Sequence, residues 1–158
     1  MRLFSANLPG LSKLIRNENV LPGLGDAGAH VSQIMDAGWP SLMLSHWVRQ
    51  EEHFTMGEAI RRMTSASARV MGLNDRGLLA SGMRADINVF DPAKVAEEQP
   101  QLVHDFPHDA PRFIQRARGY KATLVNGEVS LIDGEHTGAR AGMVLRQAPA
   151  SRARQAGA

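Results

Sequence analysis

The 158-residue chain has no cysteine. That absence excludes a disulfide scaffold, a Cys-ligated zinc, an iron–sulfur cluster and a thiol nucleophile. Aromatic residues are scarce, at 5%, so the stacking platforms that nucleic-acid binders use are missing. No single sign of charge dominates: 18 Lys and Arg stand against 16 Asp and Glu, for a net +2. The arginines are scattered, and the bunch at Arg140, Arg146, Arg152 and Arg154 reads as a solvated tail rather than a nucleic-acid face. No apolar run approaches the ~18 residues of a membrane-spanning helix. Residues 1–10 lack a basic stretch followed by an apolar one. No signal peptide is therefore expected, and the cytoplasm is the default compartment. What is present is 43% hydrophobic, with 15 Gly and 8 Pro. That suits one soluble globular domain, or the tail of a larger one, able to bury a core without staples.

Periodicity organises the first half. Leu11, Leu14 and Ile15 predict a short amphipathic helix over 8–16. Val20, Leu21 and Leu24 form an apolar run that reads as a buried strand over 20–25, broken at Gly25-Asp26-Ala27-Gly28. Residues 41–50 predict a helix in which Met43 and Trp47, and Leu44 and Val48, are four apart. Thr55 and Glu58 make a T-x-x-E capping box for the next helix. Ser65 opens a further short one, stopped by Gly72. After residue 74 the pattern changes to short alternating runs. Ile87, Val89 and Phe90 mark a strand closed by Asp91-Pro92, and residues 93–111, broken by Pro100, Pro107 and Pro111, read as an irregular loop. Residues 113–118 predict a strand. Segments 121–125 and 128–132 flank Asn126-Gly127, a strong hairpin signal, and Asp133-Gly134 adds a second turn. Residues 147–158 read as a disordered tail.

Six histidines are available, but no H-x-H or H-E-x-x-H spacing occurs. Pro107 separates His104 from His108 and denies them a common helix face. His46 reads as a packing residue, and His53, in a charged connection, carries no signal. No G-x-S-x-G elbow supports serine-nucleophile chemistry. The glycines of G-L-G-D-A-G at 23–28 mimic a dinucleotide loop, but no clear helix follows. Asp26 and His30 stand apart, because both follow the glycine break. At the carboxyl end of a strand, Asp26 is placed for a metal ligand or general base; it serves equally as a turn residue capping a nearby N–H.

Several longer stretches carry a resemblance. They are GLGDAGAHV (23–31), DAGWPSLMLSHWVR (36–49), TSASARVMGL (64–73), DRGLLASGMRADINVFD (75–91) and VNGEVSLIDGEHTGARAGMVLR (125–146). Together they resemble the C-terminal part of the N-acyl-D-amino-acid deacylase (D-aminoacylase) group of the amidohydrolase superfamily. The G-x-L-x-x-G-x-x-A-D-hydrophobic pattern at 77–87 is superfamily-wide; the hairpin and H-T-G tail point to the deacylases. The resemblance implies an α/β fold: the end of an incomplete (β/α)8 barrel over 1–74, then the C-terminal share of a small β-sandwich over 75–146. It implies zinc as cofactor and a small-molecule amide as partner. It makes Asp26 both metal contact and catalytic base, while His30 is held as a substrate contact. A barrel alone takes ~250 residues and a hydrolytic zinc about three protein ligands. The chain is therefore expected to be a fragment that is inactive alone and binds zinc weakly. A cyclic amidohydrolase of hydantoinase or dihydroorotase type, and a non-catalytic interaction module, are the competing readings.

Overall fold

The computed structural model describes residues 7–23, 25 and 36–146; Asp26, His30 and the tail 147–158 lie outside the described residues. The first helix, α1 (Leu8–Arg16), begins where the Asn7 side chain accepts the Gly10 N–H at 2.9 Å, with Pro9 in the first turn. Lys13 and Arg16 lie in its last turn, where cations suit the helix dipole. Leu11 and Ile15 pack on the core.

The second helix, α2, starts at Trp39–Leu42 and runs without a break into wider, π-helical turns over Met43–Gln50. The Glu51 N–H reaches back five residues to the His46 carbonyl at 2.8 Å. Met43, Leu44 and Trp47 are all buried, as the spacing of four predicts. The third helix, α3, covers Met56–Arg61, π-helical Arg62–Ala66 and Ser67–Val70 as one rod. Thr55 Oγ accepts the Glu58 N–H at 3.1 Å, one half of the expected capping box, while the Glu58 carboxylate turns to arginines instead. Ser65 opens no new helix. Thr64 and Ser67 return their hydroxyls to the carbonyls of Ile60 and Arg62, so the polar side chains fasten the rod instead of interrupting it. Gly72, at φ 69°, ends it as expected.

The strands follow. A four-stranded antiparallel sheet has the order β1 (Ile87–Phe90), β6 (Tyr120–Val125), β7 (Glu128–Ile132), β8 (Glu135–His136). Both turns named from sequence are present. Asn126 and Gly127 have φ 53° and 83°, and Asp133 and Gly134 have φ 46° and 88°, the left-handed pairs that match strand twist. Residues 93–111 are not an irregular loop. They contain β2 (Ala96–Glu97) and β3 (Gln101–Phe106), and β3 pairs with β4 (Ala110–Ile114) as a two-stranded ribbon. Pro107 opens the one-turn helix Pro107–Asp109 at the ribbon tip, and Pro111 sits on a two-stranded edge, where a missing N–H is tolerated. The single strand expected over 113–118 is divided: Ile114 ends β4, and β5 (Ala117–Arg118) pairs with β2.

The core lies between α2, α3 and the turn after β1. Met43, Leu44, Trp47, Ala59 and Val95 are its buried members, with Phe90 and Tyr120 packed against them. Gly119 permits this closure: a Cβ there would lie 2.6 Å from Val95 Cα, and its φ is +85°. Arg49 donates to the carbonyls of Pro92 and Val95 at 2.9 and 3.0 Å, fastening the same turn to α2.

Candidate functional site

The segment that carries Asp26 and His30 is bounded by described residues whose anchoring is explicit. Residues 20–23 and 25 form no strand ladder among the described residues, so the strand expected over 20–25 is not formed there. The Val20 carbonyl goes instead to a side chain. Arg62, 4% exposed, donates from Nη1 to the carbonyls of Ile15, Asn17 and Val20 at 2.8, 3.0 and 3.1 Å. Its Nε donates to Glu58 at 2.7 Å, and its Cζ lies 4.9 Å from the Phe54 ring centroid. A buried guanidinium is tolerable because so many of its donors are used. Hydrogen bonds from Arg61 and then Arg62 hold the Glu58 carboxyl down at about 2.

At the far end of this stretch, Gly25 meets Asp36. A Cβ on Gly25 would strike the Asp36 carbonyl and lie 3.3 Å from Trp39 Cδ1. Only glycine fits there, and the chain flanking 26–35 leaves and returns at one place. The Gly38 N–H then donates to Gln115 Oε1 at 2.9 Å, and Gln115 Nε2 donates to the Glu98 carbonyl at 2.9 Å. Arg62 and Gln115 are thus the anchors that sequence reasoning missed. Arg62 left a trace, four residues after Glu58 on the same helix face; Gln115 left none, since its partner is 77 residues away.

The remaining histidines do not converge. His46 Nδ1 is 2.9 Å from Gln50 Oε1, His104 Nδ1 is 2.9 Å from the Asp109 carbonyl, and His136 Nδ1 accepts the Gly138 N–H at 2.8 Å. Among the described residues no group of three or more His, Cys, Asp or Glu could hold a metal ion. These residues by themselves do not fit a zinc centre. Beside Gly38 opens a groove of about 800 Å³ that reaches across the sheet face. Two of its cations are already paired, Lys121 with Asp133 and Arg116 with Glu135.

A sequence profile described as the Amidohydrolase family matches residues 19–131, from before Gly25 through β7. The chain belongs to the amidohydrolase family. This amidohydrolase chain is 39% identical over 104 residues to the N-acyl-D-aspartate deacylase of Alcaligenes xylosoxydans xylosoxydans, covering 65% of this chain and 19% of that one. A solved D-aminoacylase variant in complex with copper chloride is 35% identical with a TM-score of 0.56, over 68% of this chain and 21% of that one. A second D-aminoacylase structure, described by the role of its binuclear metal center, is 33% identical with a TM-score of 0.52, over 65% and 20%. The chain spans about a fifth of the length of the curated relatives it matches. No helix among the described residues is long and apolar enough to cross a membrane.

Proposed function

We propose that the chain is the C-terminal part of a metal-dependent amidohydrolase that cleaves the C–N bond of N-acyl-D-amino acids or related small amides. The observation that carries this reading is the family match across 19–131, with N-acyl-D-amino-acid deacylases among its relatives. In this reading residues 1–74 finish a (β/α)8 barrel and residues 75–146 supply part of a β-sandwich. α1 takes the place of the seventh barrel helix, and 41–71 that of the helices that close the barrel. Residues 20–25, which form no strand ladder among the described residues, take the position of the eighth strand. The partner is a small-molecule amide, with no nucleic acid or membrane involved, and the enzyme works in the cytoplasm.

Asp26 is the residue assigned to chemistry. A carboxylate accepts a proton from the water that attacks the amide carbonyl, and returns it to the amine as the C–N bond breaks. Asp26 is also this chain's contribution to the metal, for which zinc is the cofactor proposed. His30, four residues on, is assigned to contact with the substrate. In this reading the other ligands belong to the rest of the enzyme, since a hydrolytic zinc takes about three protein ligands. The chain alone is therefore expected to be inactive and to hold zinc weakly.

The test is Asp26→Asn in the enzyme that contains this chain. Asparagine keeps the shape and the turn-forming habit but accepts no proton at neutral pH. Loss of a positioned general base lowers kcat by ~10²–10⁴, with KM and melting temperature nearly unchanged. If Asp26 only shapes the turn, activity persists. Retention of more than about a tenth of wild-type kcat overturns the assignment, since a lost base costs far more.

A further inference from the structure

One pair of side chains lies outside everything proposed above. Ser12, on α1, and His53, in the connection between α2 and α3, are 41 residues apart in sequence, yet Ser12 Oγ lies 2.6 Å from His53 Nε2. Beyond Ser12, the imidazole is held on two further sides. Its Nδ1 is 3.0 Å from the Glu51 carbonyl oxygen. Its ring stacks on Trp47, with centroids 5.4 Å apart and planes inclined by 26°. The backbone N–H of His53 donates to the Trp47 carbonyl at 2.8 Å. The residue before it, Glu52, takes φ 52°, a left-handed conformation that a side chain adopts only when its surroundings impose it.

These contacts determine the chemistry of the ring. A carbonyl oxygen only accepts, so Nδ1 carries the proton and Nε2 presents its lone pair. Ser12 must then donate its hydroxyl hydrogen to Nε2. That is the arrangement of an activated nucleophile: a hydroxyl on a base, and the base oriented by a third group. Both side chains are half-buried, so a small molecule can reach them.

We infer that Ser12 and His53 form a nucleophilic dyad that takes acyl groups from small esters with a good leaving group. Ser12 Oγ attacks the acyl carbonyl as its proton passes to His53 Nε2. The Oγ–C bond forms, the carbon–oxygen bond to the leaving group breaks, and Nε2 returns the proton to the departing oxygen. The products are acyl-Ser12 and a free alcohol or phenol. Activation of the hydroxyl is what the dyad supplies, so the leaving group must be good on its own, as in an aryl ester. This site is independent of Asp26.

The test uses the 158-residue chain with a fluorophosphonate probe. Attack of Ser12 forms an Oγ–P bond, expels fluoride and sends the proton through His53 to the fluoride. Peptide mapping of the wild-type chain should place the adduct on Ser12, at least about 10²-fold faster than on the exposed Ser81, the contribution expected of a positioned base. His53→Gln should bring Ser12 down to the Ser81 rate, with its circular dichroism unchanged. 4-Nitrophenyl acetate should give a burst of one phenolate per chain. Equal labelling of Ser12 and Ser81 in the wild-type chain overturns the proposal without recourse to any variant. So does full labelling of His53→Gln. Either result makes the pair a polar tie between α1 and the α2–α3 connection.

Discussion

The helical part and the stranded part of this molecule are held together by different means. The helices own nearly all of the buried apolar cluster: Met43, Leu44, Trp47 and Ala59 come from α2 and α3, and only Val95 comes from the stranded region. The strands are joined by ladders, tight turns and surface ion pairs, and the β3–β4 ribbon leaves Leu102 and Phe106 exposed. A two-stranded ribbon gains little from its own apolar contacts. Exposed pairs such as Asp105 with Arg112 are screened by solvent. Stability is therefore concentrated where Arg62 and Val95 sit, and shape is maintained by turns elsewhere.

This contrast can be broken most severely at Arg62. Arg62→Met takes from Glu58 one of its two arginine partners, leaving Arg61, and removes the side-chain donor from the Ile15, Asn17 and Val20 carbonyls. Carbonyls left unsatisfied beside the buried Arg62 position cost about 1–3 kcal/mol each, so a loss of about 3 kcal/mol is expected. Urea unfolding checks it, and a loss below about 1 kcal/mol, the worth of an exposed pair, would place Arg62 with the surface arginines. Next comes the joint between the two parts. Gly119→Ala adds a Cβ against Val95 at a positive φ, which should remove about 1–3 kcal/mol through strain and detach β6 from the core. Near-ultraviolet circular dichroism at Trp47 and the melting temperature report both.

Acid sharpens the comparison more gently. The folded Glu58 carboxyl sits at about 2, below its ordinary 4.5. Its contribution is thus fully present above 4.5 and is lost as pH falls toward 2. Glu58→Gln should flatten the acid limb of the stability curve between those values, and a limb of unchanged slope would remove Glu58 from the account. The smallest effect belongs to the ribbon. Hydrogen bonding to Arg112 lowers the Asp105 carboxyl, yet both groups are solvated. Asp105→Asn should leave the melting temperature of the whole chain unchanged, and a clear drop would show that the ribbon is part of the cooperative unit.

What could be read beforehand follows the range of each interaction. Asn126-Gly127, Asp133-Gly134, the Thr55 cap and the Gly72 stop need only neighbours a few residues away, and the structure has all four. The ribbon was hidden because its prolines sit at a tip and an edge, where proline does no harm. Ser12 with His53, Gly38 with Gln115, and Arg62 with the Val20 carbonyl are invisible to periodicity, since each joins residues at least 41 apart. The continuity of α3 past Ser65 depended on hydroxyls folding back, which composition does not reveal. Asp26 and His30 rest on a glycine break and a family likeness, and the structure adds only the anchored chain on either side of them.

The hub position of α2 has a consequence for the order in which the chain takes shape. The polar ties of this helix run forward to parts synthesised later: Arg49 to Pro92 and Val95, Gly38 to Gln115, and Ser41 to the Tyr120 hydroxyl, 79 residues on. Such distant closures are slow to form, because the intervening loop must first be brought together. While a ribosome is still translating the middle of the sequence, α2 can pack on α1 and α3, but its forward polar ties have no partners and Val95 has yet to close over Trp47. Consolidation comes only after residue 120 has left the exit tunnel, so the Trp47 emission of stalled nascent chains of increasing length becomes a clock for the last step of folding.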